Sequence, residues 1–391
     1  MADQARLSRL FDIVLTATFV GAIFIPFAGL WVKSSDLAEM RTLAQFPIDD
    51  LSWNGMSRLP VDLTAYATDR FGARDALLNL QSRIAYHVFG KSASPKVMIG
   101  KQKWMFYAAE RSVEDIQRID LMPPDLADLW RRSTESRARW LKAKGIVYRV
   151  YFAPDKHSIY ADLLPTGVAA SGPSRFDGLL SKLGPKPYLI DGRGPLLNAR
   201  TIYADRLYLH TDTHWTHLGA YVGYKQIISS LGDDMRHKPL QAQSFTSRPL
   251  GESDLSRMAR IPTIDMDEVA SNLPADESCV KESPAVAPQA VDSSKLQKFA
   301  TTHCATGHGT VLIFHDSFMS AMEPYISSQF REVTYVRGSR DDFLFARMVD
   351  QLKPDIVIDE YVERAILIPP SDNLEQALKQ MGQTATSASP R

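Results

Sequence analysis

Cysteine is scarce in this chain, which has two cysteines, Cys279 and Cys304, in 391 residues. Neither lies in a CxxC pair or in a cysteine–histidine spacing typical of zinc, so the sequence contains no thiolate metal motif. An excess of either charge is also missing, because 45 basic residues balance 45 acidic residues. No strong overall field favours a polyanion, and we expect no nucleic-acid partner.

Charge is absent from one long stretch at the N-terminus. The segment from Ile13 to Val32 has twenty residues without a charge, enough to cross a bilayer core of about 30 Å. Arg6 and Arg9 precede it, which favours a cytoplasmic N-terminus at 1–9, a single transmembrane anchor at 10–32 and an exported remainder. A buried core helix and a cleaved signal peptide are the alternatives. The run is long for a signal peptide and no clean cleavage site follows, so we predict a retained anchor.

The rest of the chain alternates between apolar segments of two lengths. Short runs predict strands at 101–108, 146–154, 188–191, 310–314, 333–336 and 355–359, and longer periodic stretches predict helices at 62–89 and 124–144. Gly145 is expected to end the second of these helices. The segment "TVLIF" (310–314) is apolar throughout, as in a central parallel strand. The pattern predicts an α/β fold with a mostly parallel sheet flanked by helices.

The composition also suggests how the chain is divided. We expect a linker at 33–60 and one globular domain at 61–381. Residues 271–294 are rich in proline, serine and alanine and are expected to form a mobile surface insertion. Residues 382–391 are expected to be a disordered tail.

Histidine is rare as well, yet three of the nine histidines fall within "HTDTHWTHLGA" (210–220). Thr216 is a natural N-cap for a helix that starts at the next residue. Asp212 and His214 precede this helix in chain expected to be extended, where residues two apart point to the same side. A carboxylate so placed can hold one ring nitrogen and leave the other free to act as a base. Ser317, in the strand-to-helix turn after "TVLIF", is the candidate nucleophile.

Two other interpretations of this stretch stay open. His210, Asp212, His214 and His217 offer nitrogen and oxygen atoms to a metal, although the single helical face that HExxH motifs use is missing. The histidines could also be ordinary core or surface residues. We favour a catalytic unit without a metal or other cofactor, in which His214 alone of the three histidines does chemistry.

The stretch 210–220 and "IFHDSF" (313–318) together resemble the alginate O-acetyltransferase family, exported proteins with an SGNH-hydrolase-like domain. Four further segments resemble the family in the same order: "EMRTLAQFP" (39–47), "GKQKWMFY" (100–107), "APDKHSIYADLLP" (153–165) and "KPDIVIDEYVERAI" (353–366). The resemblance makes Asp212 the orienting acid, His214 the base and Ser317 the nucleophile. Two features depart from many SGNH enzymes: the Asp–His pair precedes the serine, and His315 stands where a Gly-Asp-Ser block has glycine.

The resemblance implies an O-acetyltransferase that moves an acetyl group through an acetyl-serine onto hydroxyls of an exported polysaccharide, alginate-like or other. A carbohydrate acetylesterase and a non-catalytic scaffold that binds polysaccharide or partner enzymes are the alternatives. The implied partners are the polysaccharide acceptor and a membrane-bound acyltransferase that delivers acetyl groups across the inner membrane, with the catalytic domain in the periplasm.

Two further residue predictions concern substrate and compartment. Lys156 follows a strand end and is a candidate substrate contact, with a plain surface lysine as the alternative. If the domain is exported, Cys279 and Cys304 meet an oxidising compartment. We hypothesise that they form a disulfide that pins the 271–294 insertion to the domain.

Overall fold

The computed structural model describes residues 9, 11–21, 24, 44–47, 52–70, 74–204, 206–232, 244–270, 279–282 and 298–382. Residues 11–21 are helical, and much of the predicted anchor and nearly all of the predicted tail lie outside the described residues. Within the described part of the chain, no helix has both the length and the hydropathy to span a bilayer. The chain divides into two compact units, 1–94 with 259–261, and 95–258 with 262–391.

Besides the helical residues 11–21, the first unit contains α1 (Trp53–Arg70) and α2 (Arg74–Phe89). The predicted linker at 33–60 is therefore wrong over its last part, because α1 begins at Trp53 and contains Pro60. Proline inside a helix removes one N–H donor and its ring crowds the carbonyl four residues earlier, so Pro60 costs α1 stability without ending it. The helical stretch predicted at 62–89 is confirmed, although it is divided between two helices.

The second unit carries eleven described strands. They are β1 (Val97–Ile99), β2 (Met105–Tyr107), β3 (Val147–Ala153), β4 (Leu189–Asp191), β5 (Phe245–Leu250), β6 (Asp265–Ala270), β7 (Cys279–Glu282), β8 (Lys298–Cys304), β9 (Thr310–His315), β10 (Glu332–Arg337) and β11 (Ile356–Val362). Every predicted strand is present. The segment predicted at 101–108 is shortened to β2, because Lys101–Lys103 form a 3-10 turn that closes the β1–β2 hairpin.

The α-helices that follow α2 in the chain complete the description. They are α3 (Ser112–Ile116), α4 (Pro124–Ala143), α5 (Lys156–Ile159), α6 (Arg175–Leu183), α7 (Arg193–Ile202), α8 (His217–Ser230), α9 (Asp254–Ala259), α10 (Glu323–Ser327), α11 (Asp342–Leu352) and α12 (Leu374–Gln380). Short 3-10 segments occupy Ala161–Leu163, Phe318–Ala321 and Glu363–Leu367.

The main sheet has the strand order β4-β3-β11-β9-β10-β8-β7. The first five strands run parallel, and β8 and β7 add antiparallel strands at one edge. The mostly parallel α/β fold predicted from the sequence is confirmed, with β9 in the middle of the sheet. Parallel strands end at the same edge of a sheet, so the loops after β3, β9 and β11 meet there.

Both faces of the sheet are covered. Residues two apart on a strand share a face, and the buried residues divide accordingly. Tyr151 and Ile313 belong to a core that includes α8 and α10, whereas Phe152 and Leu312 belong to a core that includes α4, α6 and α11. The long apolar runs of these strands are explained by burial on both sides.

Helix α4 ends as its sequence predicts. Gly145 adopts a φ of 73°, its N–H donates to Lys142 O at 3.0 Å, and the N–H of Ile146 donates to Leu141 O at 2.9 Å. This pair of bonds is the Schellman motif, in which glycine accepts the left-handed conformation without strain. The chain then turns directly into β3, whose carboxyl end approaches the candidate site.

The two cysteines lie opposite each other on the antiparallel edge. Cys279 on β7 pairs in register with Cys304 on β8, and the two are joined by a disulfide. Of the predicted insertion at 271–294, the structure describes only this edge strand.

Candidate active site

The loop that carries Asp212 and His214 is closed at its base by a short backbone bridge. Tyr208 and Trp215 form an antiparallel bridge, and the N–H of Leu209 donates to His214 O at 3.1 Å. Residues 210–214 are bent, so the prediction of extended chain at Asp212 and His214 is wrong. A bridge that closes across so few residues forces the intervening chain to turn.

Helix α8 fixes the far side of this loop. The Thr216 side chain caps the helix by accepting from the N–H of Gly219 at 3.2 Å, as predicted. A Cβ atom on Gly219 would lie 2.1 Å from Leu207 O, so only glycine permits this close approach of helix and loop.

The turn after β9 places Ser317. Ser317 precedes the 3-10 segment Phe318–Ala321, as the strand-to-helix prediction requires, and its side chain makes no capping bond. The carboxylate of Asp316 accepts the N–H of Phe318 at 2.9 Å and the N–H of Val362 on β11 at 2.7 Å. The turn is thereby tied to the neighbouring strand, and the Ser317 hydroxyl is left free to face the histidine loop.

The structure brings Asp212, His214 and Ser317 together in one hydrogen-bonded line. Nδ1 of His214 lies 2.6 Å from Oδ1 of Asp212, and Nε2 of His214 lies 2.7 Å from Oγ of Ser317. The N–H of His214 also donates to Oδ1 of Asp212 at 3.0 Å. This arrangement has the geometry of a nucleophile, a base and a group that orients the base.

A hydrogen bond between the residues that follow His214 and Ser317 fixes the distance between these two side chains. The indole N–H of Trp215, which follows His214, donates to the carbonyl of Phe318, which follows Ser317, at 3.0 Å. The Phe318 ring lies 5.1 Å from the Trp215 ring and 5.0 Å from the His214 ring, measured between centroids. The histidine loop and the serine turn are therefore joined by a buried contact beside the reacting atoms.

Asp254, which the sequence interpretation missed, supports the loop from outside. Its carboxylate accepts the N–H of Thr213 at 2.8 Å and the Thr213 hydroxyl at 2.5 Å, and its own N–H donates to Oδ2 of Asp212 at 2.9 Å. Thr213 stands between Asp212 and His214 in the chain, so these bonds hold the connection between them. Asp254 lies far from Asp212 in sequence, and no local pattern signals the pairing.

The two carboxylates differ in electrostatics. Burial raises the pKa of Asp254, and the neighbouring charge of Asp212 raises it further. Burial would also raise the pKa of Asp212, but the hydrogen bond and charge of His214 outweigh it and hold the pKa of Asp212 well below its usual value. Asp212 is thus kept ionised beside the imidazole, as an orienting acid must be.

Lys156 lies just after the end of β3, as the sequence indicated. The side chain is buried, at 4% exposure, and Nζ donates to Met105 O at 2.8 Å and to His210 O at 3.4 Å. Burial lowers the pKa of Lys156 to about 8, against a partial opposing effect of Asp212. The alternative of a plain surface lysine is therefore wrong. The contacts are those of a residue that ties β2 to the histidine loop.

The other two histidines of the stretch have separate partners. Nε2 of His210 lies 3.0 Å from Gln102 O, and burial lowers the pKa of this ring. His217 pairs with Asp267, with 2.6 Å between Nδ1 and Oδ2. Neither ring shares a hydrogen bond with Ser317.

Two of the four predicted metal ligands, His210 and His217, are therefore bonded to other residues. Asp254 instead joins Asp212 and His214, and ligand atoms of the three lie within 4.8 Å of one another. Nδ1 of His214 is already bonded to Asp212, and both oxygens of Asp254 are bonded to Thr213. A metal bound there would have to displace these bonds.

The ends of β3 and β11 meet beside the serine turn. Arg364 donates to the Asp155 carboxylate, and Glu363 accepts the N–H of Asp155 at 2.9 Å. The Arg364 guanidinium lies 5.3 Å from the ring centres of both Phe318 and Tyr107. The segments 153–165 and 353–366, which resembled the family in sequence, thus pair in space next to Ser317.

Comparison with known proteins identifies the family of this chain. The sequence matches the family model described as SGNH hydrolase-like domain, acetyltransferase AlgX, over residues 97–303, slightly more than half of the chain. The chain belongs to this family. The matched range contains Asp212 and His214 and ends before Ser317. A search of curated proteins finds no match.

Solved structures give a distant likeness. PatB1 from Bacillus cereus, solved with a sulfonyl adduct, is 13% identical with a TM-score of 0.51, covering 69% of this chain and 94% of that chain. The O-acetyltransferase domain of Pseudomonas putida AlgJ is 16% identical with a TM-score of 0.43, covering 71% and 94%. Pseudomonas aeruginosa AlgX is 14% identical with a TM-score of 0.37, covering 68% and 61%. The PatB1 likeness shows a shared α/β fold.

Proposed function

We propose that this chain is an O-acetyltransferase that carries an acetyl group on Ser317 to hydroxyl groups of an exported polysaccharide. The observation that carries the proposal is the line of Asp212, His214 and Ser317, with 2.6 Å and 2.7 Å at its two contacts. Membership of an SGNH hydrolase-like acetyltransferase family supports the type of reaction.

The first half-reaction forms an acetyl-enzyme. Nε2 of His214 accepts the hydroxyl proton of Ser317 while Oγ attacks the acetyl carbonyl of the donor. Asp212 keeps Nδ1 protonated and stabilises the imidazolium that forms. The tetrahedral intermediate collapses when the bond to the donor group breaks, and His214 returns the proton to that leaving group.

The intermediate carries an oxyanion that needs a donor. Among the described residues the N–H of Ser317 has no hydrogen-bond partner, whereas the N–H of Phe318 is bonded to Asp316. The Ser317 N–H lies on the nucleophile itself and suits this role. Donors fixed before the reaction stabilise the developing charge without reorganisation.

The second half-reaction transfers the acetyl group. A sugar hydroxyl gives its proton to Nε2 of His214 and attacks the acetyl carbonyl, and the bond to Oγ of Ser317 breaks as His214 returns the proton to it. Water at the same position would give an acetylesterase. The His214 side chain is 29% exposed, which leaves room for an acceptor to approach Nε2.

The location and partners belong to the same proposal. The uncharged run behind Arg6 and Arg9 supports an inner-membrane anchor with the catalytic unit in the periplasm, where the Cys279–Cys304 disulfide is stable. A membrane-bound acyltransferase that delivers acetyl groups from the cytoplasmic side would supply the donor.

The test follows the acetyl group from a donor ester to Ser317 and then to a sugar. Purified protein is mixed with 4-nitrophenyl acetate, and intact mass and peptide mapping locate any acetyl adduct, with Ser317→Ala as control. Oligosaccharide acceptors are then added, and acetylated sugar is measured against free acetate. We expect an adduct on Ser317, transfer to sugar, and no effect of a chelator.

Three outcomes would oppose the proposal. Acetate release without transfer to any sugar favours the esterase. Loss of activity on chelation, restored by zinc, favours the metal site. A folded Ser317→Ala protein that still supports polymer acetylation favours the scaffold.

A further inference from the structure

A cavity of about 560 Å³ opens at the opposite edge of the main sheet from Ser317. It lies between the C-terminal half of α4 and the amino ends of β3 and β4. Ser317 follows the carboxyl end of β9, so a strand length, about 20 Å, separates the two along the sheet. The volume is in the range of small-ligand sites, and the cavity is distinct from the triad.

The charges that line this cavity are mostly positive. Four cationic side chains line it, Arg139, Lys142, Arg149 and Lys186, against a single carboxylate, Glu135. Glu135 is already paired with Lys186 at 3.0 Å. Three cations therefore remain without a carboxylate partner among the described residues, in a chain whose formal net charge is zero.

Arg149 is the most constrained of these cations. Its guanidinium donates to Ser230 O, to the Ser230 hydroxyl at 3.2 Å and to Tyr148 O at 2.7 Å. These are neutral acceptors, and Arg149 forms no ion pair within the described residues. Burial lowers the pKa of Arg149, with no neighbouring carboxylate to oppose it.

One face of α4 forms the helix side of the cavity. Glu135, Arg139 and Lys142 are spaced four and three residues apart on α4, so they share one face. Arg139 and Lys142 are exposed, and neither forms an ion pair within the described residues. They stand free at the rim, whereas the Arg149 guanidinium is bonded to Ser230 at the end of α8.

Two tyrosines line the cavity, Tyr188 half-buried and Tyr148 buried at 4% exposure. The rings of Tyr148 and Tyr188 lie 5.7 Å apart between centroids at an angle of 31°. Apolar walls with a few placed polar groups are typical of sites that hold a small organic ligand in one orientation. The combination favours a ring-shaped ligand that carries negative charge over a bare inorganic anion.

We propose that this cavity binds a negatively charged sugar unit of the acceptor polysaccharide, at a distance from Ser317. The identity of the ligand as a sugar rests on the proposed function, whereas its charge rests on Arg139 and Lys142 alone. A polymer held at this second point would keep its hydroxyls near the enzyme between successive transfers.

The experiment measures binding without catalysis. The full chain carrying Ser317→Ala is titrated calorimetrically with a galacturonate oligomer, a heparin-derived tetrasaccharide and a cello-oligomer. The test variant adds Arg139→Gln and Lys142→Gln, which remove exposed side chains without partners. The matched control adds Arg331→Gln and Lys379→Gln, which change the net charge equally away from the cavity.

We expect at least one of the charged oligomers to bind, with the test variant weakening it about tenfold and the matched control within about twofold. The charged oligomer that binds more tightly identifies carboxylate or sulfate as the recognised group. Equal binding by the test variant and its parent, or equal binding of the cello-oligomer, would overturn the proposal.

A separate arm distinguishes this proposal from the proposed function. In the chain that retains Ser317, Arg139→Gln with Lys142→Gln should leave hydrolysis of 4-nitrophenyl acetate unchanged. Failure of acetyl transfer with intact charge-dependent binding would remove the function and leave the binding site standing. Intact transfer without charge-dependent binding would do the reverse.

Discussion

Asp254 donates its backbone N–H to Oδ2 of Asp212 at 2.9 Å while its own carboxylate holds Thr213 at both N–H and hydroxyl. Thr213 connects Asp212 to His214, so one residue from α9 fixes both ends of the acid–base pair. Asp254 is no part of the line that ends at Ser317, and we regard it as a positioning residue.

The first prediction separates position from charge at Asp254. Asp254→Ala should lower kcat on a small acetyl ester by about 10- to 100-fold, roughly 1.4 to 3 kcal/mol in the barrier, with KM nearly unchanged. Asp254→Asn should restore most of the rate. The amide oxygen still accepts the Thr213 N–H, and the hydroxyl can turn to accept from the amide NH₂.

The control for this prediction is Glu375→Ala, which removes an exposed carboxylate on α12. Steady-state kinetics and melting curves of all three variants decide the matter. An Asp254→Asn variant as slow as Asp254→Ala would show that the charge of Asp254, and not its hydrogen bonds, matters.

The second prediction concerns the triad as a unit. Ser317→Ala and His214→Ala should each abolish nearly all esterase activity, and combining them should cost little more, because each residue is useless without the other. Asp212→Asn should be milder but still large, since an amide donates to Nδ1 and sets the wrong tautomer. His210→Ala and His217→Ala, as controls, should stay within about tenfold of wild type. A folded Ser317→Ala protein with wild-type turnover would contradict the assignment.

The sequence predicted the sheet well because each strand carries its own signal. Segments such as 311–314 and 356–358 are continuously apolar, and burial on two faces favours such runs. The Thr216 cap and the Gly145 helix end were readable for the same reason, since their hydrogen bonds are local. Asp212 and His214 were also local partners, although the bent loop that joins them was not foreseen.

The contacts that no sequence pattern predicted join residues far apart in the chain. Asp254 reaches Thr213, and Asp267 reaches His217, only because the chain between them returns to the site. Lys156 follows a strand end, where the sequence left a substrate contact and a plain surface lysine equally open. The carbonyls of Met105 and His210 happen to converge on its ammonium group and bury it. Hydrogen bonds between residues so far apart in the chain form only once the elements have packed, so local sequence does not predict them.

The third prediction concerns the disulfide at the sheet edge. Cys279 and Cys304 enclose a loop with a separation of 25 residues, and closure of a loop of this size stabilises a fold by about 3 kcal/mol. Reduction should lower the free energy of unfolding by about that amount, as measured by urea titration with and without reductant. Hydrolysis of a small ester should hardly change, because β7 is the outermost strand and Ser317 follows the central one. A native protein with two free thiols by mass would contradict the bond in solution.

The fourth prediction concerns the N-terminus. The uncharged run from Ile13 to Val32 behind Arg6 and Arg9 should remain on the exported protein, because the run is longer than a signal-peptide core. Cell fractionation should place the full-length chain with the inner membrane, and a chain lacking 1–32 should leave it. N-terminal sequencing that begins beyond Ala28 would show cleavage.

The fifth prediction tests the burial of Lys156 through pH. Its pKa is lowered to about 8 in the folded chain, against about 10.4 when unfolded. Between these values the unfolded chain binds more protons, so folding stability must rise with pH. Below about pH 8 both states are protonated and the effect is constant.

Urea unfolding of wild type and Lys156→Met across this range measures the effect as a difference. The free energy of unfolding of wild type, relative to the variant, should rise by about 3 kcal/mol from pH 8 to about pH 10.4. Lys379→Met, which removes an exposed lysine on α12, should show no such slope. A flat difference for Lys156→Met would mean that the ammonium group is hydrated in the folded protein. In that case Lys156 would be accessible to substrate. Its predicted role as a substrate contact would then be preferred to a structural role that joins β2 to the histidine loop.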